Sequence, residues 1–91
     1  MNDDYCQSCG QVIHNPRDLG TEADGSVNHD FCRECYAEGC FTEPRLTRWQ
    51  IISRIVPLWM KEKELTYREA LVEVNYFISG LRRWQTHKTW T

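Results

Sequence analysis

The sequence predicts a small α+β protein, with a cysteine-rich half built on a β-hairpin followed by two α-helices. Three observations lead there. Two Cys-x-x-Cys pairs, Cys6/Cys9 and Cys32/Cys35, flank a spacer with hairpin signals. All five cysteines lie in the first 40 residues, whereas all four tryptophans, Trp49, Trp59, Trp84 and Trp90, lie after residue 48. Two capping-box sequences each open an apolar run of helical period.

Charge divides the chain where the cysteines stop. Residues 1–44 hold nine acids and two bases, net −7, and residues 45–91 hold four acids and nine bases, net +5, which sum to −2. An acidic chain is a poor general nucleic-acid binder, although the basic second half keeps a local contact open. No stretch approaches the ~20 apolar residues that cross a bilayer. Met1–Tyr5 is acidic and starts no apolar segment of the signal-peptide kind, so a reducing cytoplasm is expected. In that compartment paired cysteines more often mean metal than disulfide.

The first knuckle is Cys6-Gln7-Ser8-Cys9-Gly10. Two residues between thiolates let both sulfurs reach one ion from a single turn, and Gly10 can take the positive φ such a turn often needs. The second knuckle is Cys32-Arg33-Glu34-Cys35, separated from Cys9 by 22 residues. Zinc patterns use a spacer of about 15–20, so this one is slightly long but workable. Cys6, Cys9, Cys32 and Cys35 close a tetrahedral site for one structural Zn²⁺ ion, with no open position for catalysis. Iron also accepts four thiolates. A redox pair would need a βαβ pattern that is absent, and disulfides an oxidising compartment. The module is thus a zinc ribbon or treble-clef-like unit over residues 1–44.

Within the spacer, Asn15-Pro16 marks a turn and Asp24-Gly25 a hairpin between Leu19–Glu22 and Val27–Phe31. Tyr36, Ala37 and Phe41 suggest a short helical turn ended by Gly39, with a helix start at Cys35. Cys40 is surplus to a closed site, either a small semi-exposed residue or a reactive thiol. His14 and His29 read as loop or strand residues because four better ligands are present. His87 reads as solvated.

Thr47-Arg48-Trp49-Gln50 is a capping box, followed by Trp49, Ile52, Ile55, Val56, Trp59 and Met60 on one face. Pro57 should kink this helix or split it. Thr66-Tyr67-Arg68-Glu69 is a second box, followed by Ala70, Leu71, Val74, Phe77, Ile78 and Leu81. The helices are expected at about 47–63 and 66–84, packed on the metal module within residues 45–91, with a frayed tail at 85–91. Part of the apolar stripe, with Trp84 or Trp90, could instead meet a partner or a second copy. Arg45, Arg48 and Arg54, with Arg68, Arg82 and Arg83, fit a solvated helix face better than a nucleic-acid patch.

Several of these residues resemble a family, the small bacterial and archaeal "putative zinc ribbon domain" proteins. The likeness runs through Tyr5–Gly10, Leu19–Ser26, Phe31–Tyr36 with Gly39 and Phe41, Val56-Pro57, and Leu81–Trp84. It implies Cys6, Cys9, Cys32 and Cys35 as ligands and helices after the ribbon, and says little about role. The chain departs from the family pattern at Gln11-Val12, where Met-Pro is usual, and at Cys40, where a polar residue is usual.

The expected function is a non-enzymatic, zinc-stabilised module that presents its aromatic helices to a protein partner or its own copy. The alternative is a transcription-related zinc ribbon contacting nucleic acid. Enzymatic chemistry has no support: there is no Ser/His/Asp set, no phosphate loop and no open metal position. Membrane association is not expected.

Overall fold

The computed structural model describes residues 5–85. The chain forms two compact units that meet between Arg45 and Leu46. The first holds two antiparallel hairpins, β1 (Leu19–Thr21) with β2 (Val27–Cys32) and β3 (Tyr36–Ala37) with β4 (Cys40–Phe41). The second holds helices α1 (Arg48–Lys63) and α2 (Tyr67–Ser79) and a 3₁₀ turn at Arg82–Trp84.

The first hairpin turns at Asp24-Gly25. Gly25 has φ 90°, and Asp24 Oδ1 accepts from the Ser26 amide at 2.9 Å and the Ser26 hydroxyl at 2.7 Å. Thr21 pairs with Val27 and Gly20 with Asn28, but Leu19 pairs with Cys32. His29–Phe31 therefore bulge out of the ladder, a device that bends a strand and re-aims its end. Asn28 Oδ1 steadies the bulge by accepting from the amides of Asp30 at 2.7 Å and Phe31 at 3.2 Å.

The segment after the second knuckle corrects an expectation. Glu38 and Gly39 both have positive φ, 54° and 81°, so Tyr36–Phe41 form a two-residue-loop hairpin instead of a helical turn. No helix starts at Cys35. The aromatic residues that suggested a helical face instead form a cluster across the strands. Phe31, Tyr36 and Phe41 have ring centroids 5.0–5.5 Å apart, the spacing at which aromatic pairs attract. The two hairpins lock together through Thr21, whose carbonyl accepts from the Gly39 amide at 3.0 Å and whose hydroxyl accepts from the Glu38 amide at 3.1 Å. Position 20 must be glycine here, since a Cβ would stand 2.5 Å from the Tyr36 carbonyl oxygen.

Both helices begin with complete capping boxes. Thr47 Oγ1 accepts from the Gln50 amide and Gln50 Oε1 from the Thr47 amide; Thr66 and Glu69 do the same for α2. α1 ends at Glu64 in the left-handed conformation, so three residues, Glu64–Thr66, separate the helices. Ile51, Ile52, Ile55 and Val56 are buried, as are Ala70, Val74, Ile78 and Leu81. Ile51 takes the core place that periodicity assigned to Trp49, which is exposed. Trp59 is half-buried against Phe77, with the Lys63 ammonium 4.0 Å from its ring centroid. Arg48 Nη1 donates to Asn75 Oδ1 and, at 3.1 Å, to Ser79 Oγ.

Pro57 does not split α1, and one helix boundary differs from the sequence expectation. α1 runs unbroken through Pro57. Pro57 and Ser53, whose carbonyl loses its donor, both lie on the exposed side, where water can replace the missing bond. α2 stops at Ser79 rather than near 84, because Leu81 turns extended after Gly80 (φ −77°, ψ 148°). The tail expected to fray, with His87 and Trp90, lies at 86–91 outside the described residues, apart from Gln85. No helix among the described residues is long and apolar enough to cross a membrane.

Ile52→Ala removes a fully buried side chain and is expected to destabilise the helical unit by about 2–5 kcal/mol. Thr66→Ala removes one cap and should cost ~1 kcal/mol. Urea unfolding followed by helical circular dichroism should rank the two in that order; equal midpoints would contradict the packing described.

Candidate metal centre

Each knuckle is a turn whose backbone polar groups are committed locally. In the first, the Cys6 amide donates to the Gln11 carbonyl at 2.9 Å and the Gly10 amide to the Cys6 carbonyl at 2.9 Å. Gly10 takes φ 79°, as expected of the residue after the second cysteine. The amides of Ser8 and Cys9 point at Cys6 Sγ, 3.3 Å and 3.5 Å away, and Ser8 is fully buried. Amide hydrogens aimed at a sulfur stabilise its thiolate form.

The second knuckle is set by the strands on either side. Cys32 is the last residue of β2, and the Cys35 amide donates to the Cys32 carbonyl at 3.0 Å. Beyond β4, the Thr42 amide returns to the Cys35 carbonyl at 2.9 Å and the Thr42 hydroxyl to the Glu34 carbonyl at 2.6 Å. A backbone bond ties the first knuckle to the strand that leads into the second: the Gln7 amide donates to the Asp30 carbonyl at 2.7 Å. That carbonyl sits in the β2 bulge, so the bulge brings the first knuckle to the second.

The sulfurs of Cys6, Cys9, Cys32 and Cys35 all lie within 4.8 Å of one another, and Cys9 Sγ stands 3.9 Å from Cys32 Sγ. A tetrahedron with metal–sulfur bonds of about 2.3 Å has edges of about 3.8 Å. A disulfide needs ~2.05 Å, and all five cysteines are free thiols. The four residues are positioned to hold a metal ion.

Electrostatics favours the same conclusion. Four thiols packed this closely divide their protons unequally. A hydrogen bond from Cys32, then others from Cys35 and Cys9, hold the Cys6 thiol far below its ordinary range. Cys32 is lowered to about 7, first by its hydrogen bond with Cys35. Cys9 and Cys35 are pushed up, each first by Cys32. Like charges at this spacing do not all ionise without a counter-charge, and a divalent cation supplies it.

Cys40 is exposed on β4 and lies outside the four-sulfur group. His14 and His29 are exposed and also lie outside it. Sequence reasoning missed the supporting groups. Glu22 accepts from the Tyr36 hydroxyl at 2.9 Å and from Asn28 Nδ2 at 2.7 Å, bracing both hairpins behind the site. The tie from Gln7 to Asp30 uses backbone atoms alone, so no residue type signals it.

The family described as "Putative zinc ribbon domain" matches residues 5–85, and the chain belongs to it. No curated protein matches the chain, and no solved structure does.

Replacing Cys6 or Cys32 with serine removes a buried ligand. Each variant is expected to lose bound metal and to lose amide-exchange protection across residues 5–45, the readout being hydrogen–deuterium exchange beside metal analysis. Wild-type protection in either variant under excess chelator would contradict a folding role for the centre.

Proposed function

We propose that this member of the zinc ribbon family is a non-enzymatic module in which one Zn²⁺ ion folds the ribbon and the helical unit is presented to a protein partner or a second copy. The closed donor set carries the first half of this reading. Four thiolates fill a tetrahedral ion completely, leaving no place for water or substrate. The set is soft and tetrahedral, which suits zinc and, among common alternatives, iron–sulfur chemistry. When bound, the ion supplies folding energy, on the order of 10 kcal/mol for small modules, comparable to the whole stability of a domain.

The helical half of the reading rests on what the helices leave outside. Val72 and Tyr76 lie one turn apart on α2 and are 65% and 86% exposed, and Leu58 on α1 is 58% exposed. Large apolar side chains this open are what a protein-binding face offers. The nucleic-acid alternative draws on the positive charge of the same half. It is weakened by Arg48, whose guanidinium is spent on Asn75 and Ser79 within the unit.

Two measurements test the reading. Elemental analysis of protein purified from cells should find one zinc per chain; iron or an empty site would overturn the assignment of the ion. Sedimentation of the wild type and of a Val72→Glu, Tyr76→Glu double variant should show self-association, or binding of a cross-linked and identified partner, that the variant loses by at least tenfold, about 1.4 kcal/mol. Monomeric behaviour alone, joined to retention of mixed DNA or RNA that falls steeply with salt, would move the function to nucleic acid.

A further inference from the structure

The four sulfurs are not equally protected. Cys6 and Cys32 are 0% and 3% exposed, whereas Cys9 and Cys35 are only half-buried. The two knuckle amides both serve Cys6 Sγ, and a sulfur whose charge is shared with amide hydrogens is a weaker nucleophile. Across the knuckles, Cys9 Sγ stands 3.9 Å from Cys32 Sγ, within hydrogen-bonding reach. Closing that gap to the ~2.05 Å of a disulfide takes a shift of about 2 Å between two tight turns.

We propose that Cys9 is a site of oxidation by hydroperoxides, resolved by Cys32, so that a cross-knuckle disulfide forms and the metal ion is released. In the metal-bound set, whose four sulfurs are deprotonated, the Cys9 thiolate attacks one peroxide oxygen and the O–O bond breaks. Sulfur becomes the sulfenic acid, and the departing alkoxide or hydroxide takes up a proton. The Cys32 thiolate then attacks Cys9 Sγ and displaces hydroxide, which leaves as water after protonation. Two thiolates lose two electrons; the hydroperoxide and two protons become an alcohol, or water from hydrogen peroxide itself, and one further water. Cys6 and Cys35 are then the only thiolates left, too few to hold a tetrahedral ion.

The product differs from what oxidation inside a knuckle would give. A Cys6–Cys9 or Cys32–Cys35 bridge closes a loop already closed by its own turn and leaves the knuckles free to part. A Cys9–Cys32 bridge spans the same 22-residue spacer that the metal would span, and restricts the unfolded chain by closing that loop. The ribbon is thereby held closed while its metal is given up. Exposed Cys40 takes no part in this route.

The inference rests on the metal-folded reading of the ribbon, so the experiment separates the two. Purified full-length chain is analysed for zinc first, then treated with hydrogen peroxide in the presence of a colorimetric zinc indicator. Trypsin cuts after Arg17, Arg33 and Arg45, placing Cys6 with Cys9, Cys32 alone, and Cys35 with Cys40 on three peptides. The expected result is loss of the one bound ion in step with a cross-link between peptides 1–17 and 18–33, located by fragmentation at Cys9. Cys40→Ser should release zinc at an unchanged rate. Any other dominant pairing, retention of zinc while Cys40 alone is oxidised, or slower release in Cys40→Ser would overturn the proposal with the metal reading intact. Absence of zinc before peroxide is added would overturn the metal reading, and the inference with it.

Discussion

Everything in the first 45 residues depends on bringing two turns, separated by a 22-residue spacer, to within a few ångströms of each other. The spacer supplies no large apolar core: among its residues only Leu19 and Gly20 are buried. What closes it is polar and local, including the Asp24 turn, the bulge braced by Asn28, and the backbone bond from Gln7 to Asp30. Such bonds contribute on the order of 1 kcal/mol each, against a backbone ordering cost of about the same size for every residue. A metal bound by four thiolates is an interaction of the required magnitude.

That dependence explains why the residues around the centre are chosen for shape more than for burial. Gly20 lets β1 pass close to the Tyr36 backbone, and Gly39 with Glu38 reverses the chain in two residues. Phe31, Tyr36 and Phe41 then meet as a half-buried cluster beside the second knuckle. The helical unit follows a different logic. Its caps are complete and its core is a set of branched aliphatic side chains, so packing and local propensity support it in the ordinary way. The chain joins a half built around four clustered cysteines to one that carries its own core.

For function, the consequence is a separation of roles. A tetrahedral ion held by four sulfur donors would have no vacant position for a substrate. Its sulfurs keep one kind of reactivity, toward oxidants, and burial divides that reactivity unequally between Cys9 and Cys35 on one side and Cys6 and Cys32 on the other. The helical unit carries large apolar residues on its outside, Leu58, Val72 and Tyr76 among them.

The four clustered cysteines were legible in the sequence because Cys-x-x-Cys spacing states a local geometry: two sulfurs on one turn can reach one ion wherever the turn is placed. The helix starts were legible for the same reason, since a capping box is closed by residues three apart. The Asp24-Gly25 hairpin belongs with them. The hairpin at Glu38-Gly39 was not, because Tyr36, Ala37 and Phe41 suit a helical face as well as a strand, and only pairing across the turn decides. Nor was the choice of Ile51 over Trp49 for the core, which depends on how α1 is rotated against α2. The bulge at His29–Phe31 and the tie from Gln7 to Asp30 are set by backbone groups that every residue shares. Sequence by itself determined what is held by contacts a few residues apart; the tertiary structure alone decided which strands pair, which face is buried and which sulfur stands open, because those are settled between segments distant in the chain.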